Sequence, residues 1–392
     1  MPKRTTFEIS DNPVSYKGKL LRMYKSYTDS NFQSNTILTD DVFTYIEFYF
    51  SSHTKALKYR NPSSKSKYGS EKKYHYTFYW KQAMTFYYAT KSLPIESVPL
   101  LSYYSMLNAA KAFLSFKSEY IEDFVENFAG HGLFENVNLP GTDLNTIAVG
   151  RKNKGVFPLF GKYLEQNFDT IWPSGKTNTI TLKKLLYNLA YIHRAYITTY
   201  NTPRSAKIPE LFIPVVAFKS PCYHKGNDGN IYLVINIDKS YFPSNSVAIP
   251  PTYISSISPE FRVSHKENFI LQSVKGARWN NTESLSSDFK QLNKELRQEF
   301  QYIRSSKRLW YLRRSTLISS DIVKMNSMLI TMAAMHRISE IVRYKPEQLA
   351  HLMKSKENWL LHEFITLALD QFIDEIATEI TGQDIMGTGT KA

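Results

Sequence analysis

Cysteine occurs once in this 392-residue chain, at Cys222. One thiol can neither close an internal disulfide nor build a multi-thiolate zinc site. His224 stands two positions on, but no second cysteine completes a ligand set, so no metal is expected. Glycine is scarce, at 15 residues, and there is no Gly-rich phosphate loop ending in Gly-Lys-Ser/Thr. A His-Glu-x-x-His helix and a Gly-x-Ser-x-Gly elbow are also missing. These absences remove the commonest nucleotide-binding, metalloprotease and serine-hydrolase patterns and leave no expected cofactor. No apolar run reaches the ~18 residues that read as a bilayer span. The basic start Met1-Pro2-Lys3-Arg4 lacks the apolar stretch of a signal peptide. The expectation is a soluble protein of the reducing cytoplasm with no membrane partner.

Aromatic residues are abundant instead, with 27 Tyr and 24 Phe, and hydrophobic residues make up 42% of the chain. That composition excludes a disordered or collagen-like chain and supplies a large core without a staple. The length suggests two domains, or one core with a large insertion. The formal charge is +14, which favours an anionic partner, nucleic acid first. Residues 275–314 carry ten basic and four acidic side chains, whereas 315–392 carries seven and ten.

Periodicity predicts helices over most of the chain. Thr39-Asp40-Asp41 can cap a helix over 39–58, and 71–91 reads as a second. Pro99 suits the first turn of a third over 100–116, and 119–128 reads as a short fourth. The middle changes character: 211–218, 231–237 and the pair 261–265 and 269–274 are short, β-branched and aromatic, with turn residues between them. Helices return at 284–304, from a Ser319-Ser320-Asp321 cap to about 342, from Pro346, and over 356–381 with an acidic outer face at Glu363, Asp370, Asp374, Glu375 and Glu379. The predicted fold is therefore α+β and mostly α. A helical region over 1–204 and another over 276–392 enclose a small antiparallel β insertion at 205–275.

Two segments carry candidate chemistry. In 100–133, Asn108 and Lys111 sit three apart on one face of an otherwise apolar helix, and His131-Gly132 follows after a short gap. Polar groups buried there need partners, so Asn108, Lys111 and His131 are expected to converge on one polar pocket among Tyr103 and Tyr104. The pocket could be catalytic, or it could be a buried network that fixes helix register. Lys111 could equally reach solvent. The second segment, 302–314, interleaves Arg304, Lys307, Arg308, Arg313 and Arg314 with Tyr302, Trp310 and Tyr311. Guanidinium groups can fork onto phosphates and aromatics can stack on bases, but the same stretch could be a basic helix end with Trp310 in the core.

The chain resembles the YaaC-like family of bacterial proteins. The matching elements run in order: Gln82-Ala83 with Tyr87-Tyr88-Ala89, Pro99-Leu100-Leu101 with Tyr103-Tyr104, Asn108, Lys111-Ala112, His131-Gly132-Leu133, Lys154-Gly155-Val156-Phe157, Thr181-Leu182 with Leu185-Leu186, and Arg343-Tyr344-Lys345-Pro346. More distantly, residues 103–114 resemble the second helix of HEPN-superfamily domains. That likeness implies an antiparallel helical bundle and RNA-cutting or defence chemistry, often in dimers. The arginine of active forms, followed four to six residues later by histidine, is absent: His131 lies twenty positions beyond Lys111. The expected role is a nucleic-acid-associated or anti-phage defence component within a complex. The alternatives are a HEPN-type metal-independent RNase using Lys111, His131 and Asn108, and a non-catalytic helical scaffold. Expected partners are RNA or DNA, and a protein partner or second copy.

Overall fold

A computed structural model describes residues 9–53, 75–118, 128–135, 143–203, 205, 207–217, 221–264, 267–279 and 285–389. The fourth helix expected at 119–128 lies outside these residues but for its last position. The chain is α+β, with long helices and several small sheets. It divides into two compact units, neither continuous in sequence.

The first unit comprises Met1–Ile37, Pro209–Ser320 and Gly382–Ala392. Its main sheet is antiparallel, in the order Ile9–Pro13, Cys222–Gly226, Asn230–Asn236, Ile270–Ser273, Phe261–Val263, with Ala277–Arg278 paired beside Asn230 and Ile231. The 222–236 hairpin turns at Asn227-Asp228-Gly229. Gly229 takes φ +84, a conformation natural to glycine, and the Asp228 carboxylate accepts from the Asn230 amide at 3.1 Å and the Tyr232 hydroxyl at 2.7 Å. The pairing of Phe261–Val263 with Ile270–Ser273 follows the expected hairpin. The Ser287–Arg297 helix, capped by Ser286, lays Phe289, Leu292 and Leu296 against Tyr223, Ile231 and Leu233 of the sheet.

Two expectations need correction here. The helix predicted over 284–304 stops at Arg297, and Phe300–Ile303 pairs instead with Leu309–Arg313, which pairs in turn with Phe212–Pro214. Phe300, Tyr302, Trp310 and Leu312 alternate inward at the two-residue strand period. Strands also occupy Ile9–Pro13, Leu133–Glu135, Ala148–Arg151 and Thr179–Thr181, within the region read as helical.

The hairpin turns most of its basic side chains inward. Trp310 is 2% exposed. Arg308 pairs with Asp384 and donates to Thr36 Oγ1 at 2.8 Å. Arg313 is buried beside Glu299, and burial lowers its pKa. Arg314 donates from Nε to Ser256 Oγ at 2.7 Å and from Nη1 to the Glu210 carbonyl at 2.8 Å, with Tyr253 under its guanidinium. Arg304 is half-buried and Lys307 exposed. Arg314→Ala should therefore destabilise the protein by roughly 2–3 kcal/mol, because several buried acceptors lose a charged donor. Thermal or urea unfolding checks this; an unchanged midpoint contradicts it.

The second unit comprises Leu38–Ile208 and Asp321–Thr381. Its aromatic wealth fills the contacts between Val42–Ser52, His75–Thr90 and Val98–Lys117: the Phe50 ring packs on Tyr76 at 4.8 Å and on Phe116 at 5.1 Å. Trp80 Nε1 donates to the Phe43 carbonyl at 3.1 Å. The 98–117 helix carries Pro99 in its first turn, and Ala109, Ala110 and Ala112 are fully buried where neighbouring helices approach. The 327–344 helix begins at the Asn326 cap rather than at Ser319-Ser320-Asp321, because Asn188 bonds the Asp321 carbonyl and the Val323 amide and holds that stretch open. In the Asn358–Thr381 helix the expected outer acidic face is partly interior. Asp374, Glu375 and Glu379 are buried, and Glu375 accepts from Gln371 at 2.7 Å and from Ser327. Among the described residues, no helix is long and apolar enough to cross a membrane.

Candidate functional site

The site lies in the second unit, and a glycine loop builds its rim. Gly132 and Gly155 hold φ +83 and φ +127. A Cβ on Gly155 would meet Gly132 N at 2.5 Å and Gly132 Cα at 2.6 Å. That close approach lets the first amides of the Val156–Tyr163 helix bond back to the loop. Val156 N donates to the Gly130 carbonyl at 2.9 Å and Phe157 N to the His131 carbonyl at 3.0 Å. The amides of a helix start, normally without partners, thus fix the His131 backbone.

The His131 ring packs on Tyr103 at 5.3 Å between centroids and meets His336 edge-on at 5.7 Å. His336 in turn meets Tyr103 edge-on at 4.8 Å. Tyr103 comes from the 98–117 helix and His336 from the 327–344 helix, so two helices and one loop converge. One turn beyond His336, Glu340 places Oε2 3.6 Å from His336 Nδ1 and 3.5 Å from Arg337 Nη1. The far side is closed by Glu135, whose Oε1 accepts from Arg337 Nη2 at 2.6 Å and Lys345 Nζ at 2.8 Å. Among the described residues, Tyr103 Oη and Arg337 Nε are buried with no hydrogen-bond partner, and His336 Nδ1, Arg337 Nη1 and Glu340 Oε2 meet one another only at ion-pair distance. Buried polar atoms without hydrogen bonds are uncommon, and several gather here.

Electrostatics sharpen the picture. Burial, then Lys111, Arg343 and Lys152, lower the His131 pKa. Burial drives His336 down to about 3, helped by His131, Arg337, Lys152 and Arg343. Glu340 is pushed up to about 7, chiefly by burial, with Arg337 opposing and the Glu135 carboxylate adding to the rise. Burial lowers Lys111 as well. For Glu135, burial pulls upward, but Lys345 and Arg337 outweigh it and hold the carboxyl low. His336 and Glu340 are therefore no ion pair at neutral pH: the imidazole is neutral, and the carboxyl exchanges a proton near neutrality.

The Glu340 shift carries a stability signature. A carboxyl raised on folding favours the fold below its unfolded pKa near ~4.3, and that contribution is lost as pH rises through about 7. His336 acts oppositely, losing its contribution as pH falls from the ordinary histidine range towards 3. Glu340→Gln should thus gain stability relative to wild type between pH 5 and 8, by about 2 kcal/mol. Paired melting curves test this, and a difference that does not move with pH contradicts it.

Of the residues expected to converge, His131 and Lys111 share the pocket's field, and Tyr103 and Tyr104 line it. The Lys111 ammonium lies over Tyr79 at 5.4 Å and Phe128 at 5.6 Å. Asn108 is different: its amide donates to the Tyr104 carbonyl of its own helix at 2.8 Å. The pocket also holds His336, Arg337, Glu340, Glu135 and Lys152, which the sequence reading did not single out. Their signal was His336-Arg337 with Glu340 one turn on, charged and titratable groups in a helix that is mostly apolar from Met328 to Ile341. The candidates of the basic segment, Arg304, Lys307, Arg308, Trp310, Arg313 and Arg314, belong to the first unit. Among the described residues, no group of three His, Cys, Asp or Glu side chains could hold a metal ion.

The model of a family described as YaaC-like Protein matches residues 31–380. No curated protein and no solved structure matches the chain.

Proposed function

The chain belongs to the YaaC-like family, and we propose that it is a nucleic-acid-associated protein whose His131–His336 pocket cleaves RNA by acid–base chemistry without a metal. The observation that carries this reading is two imidazoles 5.7 Å apart, backed by a carboxyl near pKa 7, under the field of Lys111, Lys152, Arg337 and Arg343. The pocket supplies from protein groups the three things the reaction needs: a base, a proton donor and positive charge beside a phosphate.

In this reading His131, neutral at pH 7 because burial and nearby cations lower its pKa, takes the proton of a ribose 2′-hydroxyl. The 2′-oxygen bonds to the adjacent phosphorus, and the phosphorus–O5′ bond breaks. Neutral His336 acts as a relay: its Nδ1, which faces Glu340, accepts the proton of the Glu340 carboxyl as its Nε2–H is given to the departing O5′, so the imidazole stays neutral and Glu340 ends as the carboxylate. The products are a 2′,3′-cyclic phosphate and a 5′-hydroxyl. Lys111, Lys152 and Arg343 offset the charge that builds on the phosphate oxygens. The HEPN resemblance of residues 103–114 extends the reading to a bundle-type RNase acting as a defence component within a larger complex.

The test is incubation of the purified protein with 5′-labelled RNA in excess EDTA at pH 6–8. Cleavage to cyclic-phosphate ends, with the all-deoxy strand of the same sequence intact, is expected. An intact RNA over that range sinks the proposal.

A further inference from the structure

Beside the imidazoles, the end of the 327–344 helix presents a ring, Tyr344, that the cleavage chemistry does not use. Tyr344 is 65% exposed. The Arg343 guanidinium lies 5.5 Å from the Tyr104 ring centre and 5.7 Å from that of Tyr344, and it donates to the Tyr104 hydroxyl. Arg343 itself is exposed. Behind Tyr104, Phe86 packs at 5.6 Å with the rings 32° from parallel. On its other side Tyr104 meets His131 edge-on at 6.5 Å. A guanidinium in contact with two tyrosines, one of them open to solvent, thus adjoins the candidate catalytic imidazole.

Planar guanidinium groups and aromatic rings are the surfaces on which unpaired bases stack, and the same cation can reach the neighbouring phosphate. A base inside a duplex has both faces covered by its own neighbours and cannot use such a platform. We propose that Arg343 and Tyr344, backed by Tyr104, form a stacking subsite for an unpaired base of single-stranded RNA next to the scissile phosphate. The proposal rests on the cleavage reading for the identity of its ligand. It adds a substrate class, because it makes the pocket selective for single strands over duplex.

The experiment measures binding rather than turnover, using the His131→Ala protein and fluorescein-labelled 12-nucleotide RNA, single-stranded or annealed to its complement, by anisotropy. The single strand should bind at least about tenfold more tightly than the duplex, and adding Tyr344→Ala should weaken it by about 5- to 50-fold, as expected for loss of one stacked base. Tyr344→Phe should bind within about twofold of its parent, since a ring of the same shape remains. Equal affinity for single strand and duplex, or an unchanged affinity in Tyr344→Ala, overturns the subsite. Tyr344 is exposed, so its replacement leaves the core intact, and a melting curve verifies this. If wild-type protein leaves RNA uncut yet shows these binding differences, the cleavage reading falls and the subsite stands. If it cuts RNA but Tyr344→Ala binds like its parent, the reverse holds.

Discussion

Replacing His131 with alanine should slow RNA cleavage by about 10²- to 10⁴-fold, the range expected when a positioned general base is removed. Stability should fall by only about 1 kcal/mol, because the ring is half-buried and its losses are the contacts with Tyr103 and His336. The two readouts separate a chemical role from a structural one. A variant that melts like wild type but has lost cleavage supports the base assignment; one that keeps full cleavage removes it. Lys111→Ala offers a second comparison. Its ammonium lies against Tyr79 and Phe128 and contributes to the field that lowers His131. Its loss should raise the His131 pKa and move the acid limb of the cleavage profile to higher pH, besides lowering the rate. A pH–rate profile identical to wild type means that Lys111 does not act on His131.

The pocket can be traced in the sequence only in part, and the reason is distance along the chain. Asn108 and Lys111 could be placed on one helix face because helical spacing is local. His131 and His336 are far apart in sequence and meet only when the Gly130–Gly132 loop and the 327–344 helix pack beside the 98–117 helix. The rule that drew attention to Lys111, a polar group in an apolar helix, applies equally to His336 and Glu340. Asn108 shows where that rule errs, since its amide is satisfied by a carbonyl one turn earlier on its own helix.

Secondary structure follows the same division. The 222–236 hairpin was legible because its turn and both strands lie together. The Phe300–Ile303 strand was not, because polar helix-forming residues lead into it and the third strand of its sheet is the remote Phe212–Pro214. Once that sheet forms, Trp310 and Arg313 become interior, and a segment that reads as a basic surface becomes core. Asp374 and Glu379 were misplaced for a related reason: a carboxylate looks solvent-facing in sequence, and burial in this helix depends on partners supplied by tertiary packing, as Ser327 and Gln371 supply them to Glu375.

The loop that carries His131 gives the second large effect. Gly155→Ala should destabilise the protein by about 2–4 kcal/mol, combining the strain of a side chain at a glycine-only backbone conformation with displacement of packed backbone. The φ of +127 supplies the first cost, and the new Cβ 2.5 Å from Gly132 N supplies the second. The three nearest atoms are all backbone, at Gly132 and Gly130, so that backbone must move, which should strain the bond from Phe157 N to the His131 carbonyl. Cleavage should fall with stability, because His131 shifts against Tyr103 and His336. Gly18→Ala is the matched control. Gly18 also has positive φ, at +75, but a Cβ there meets nothing within 4 Å. Its cost should be about 1 kcal/mol from backbone conformation alone, with cleavage unchanged. Melting both variants alongside wild type and assaying each for cleavage distinguishes the two costs. Equal losses of stability mean that the Gly155–Gly132 contact contributes nothing beyond φ, and a destabilised Gly155→Ala with full cleavage means that the loop does not position His131.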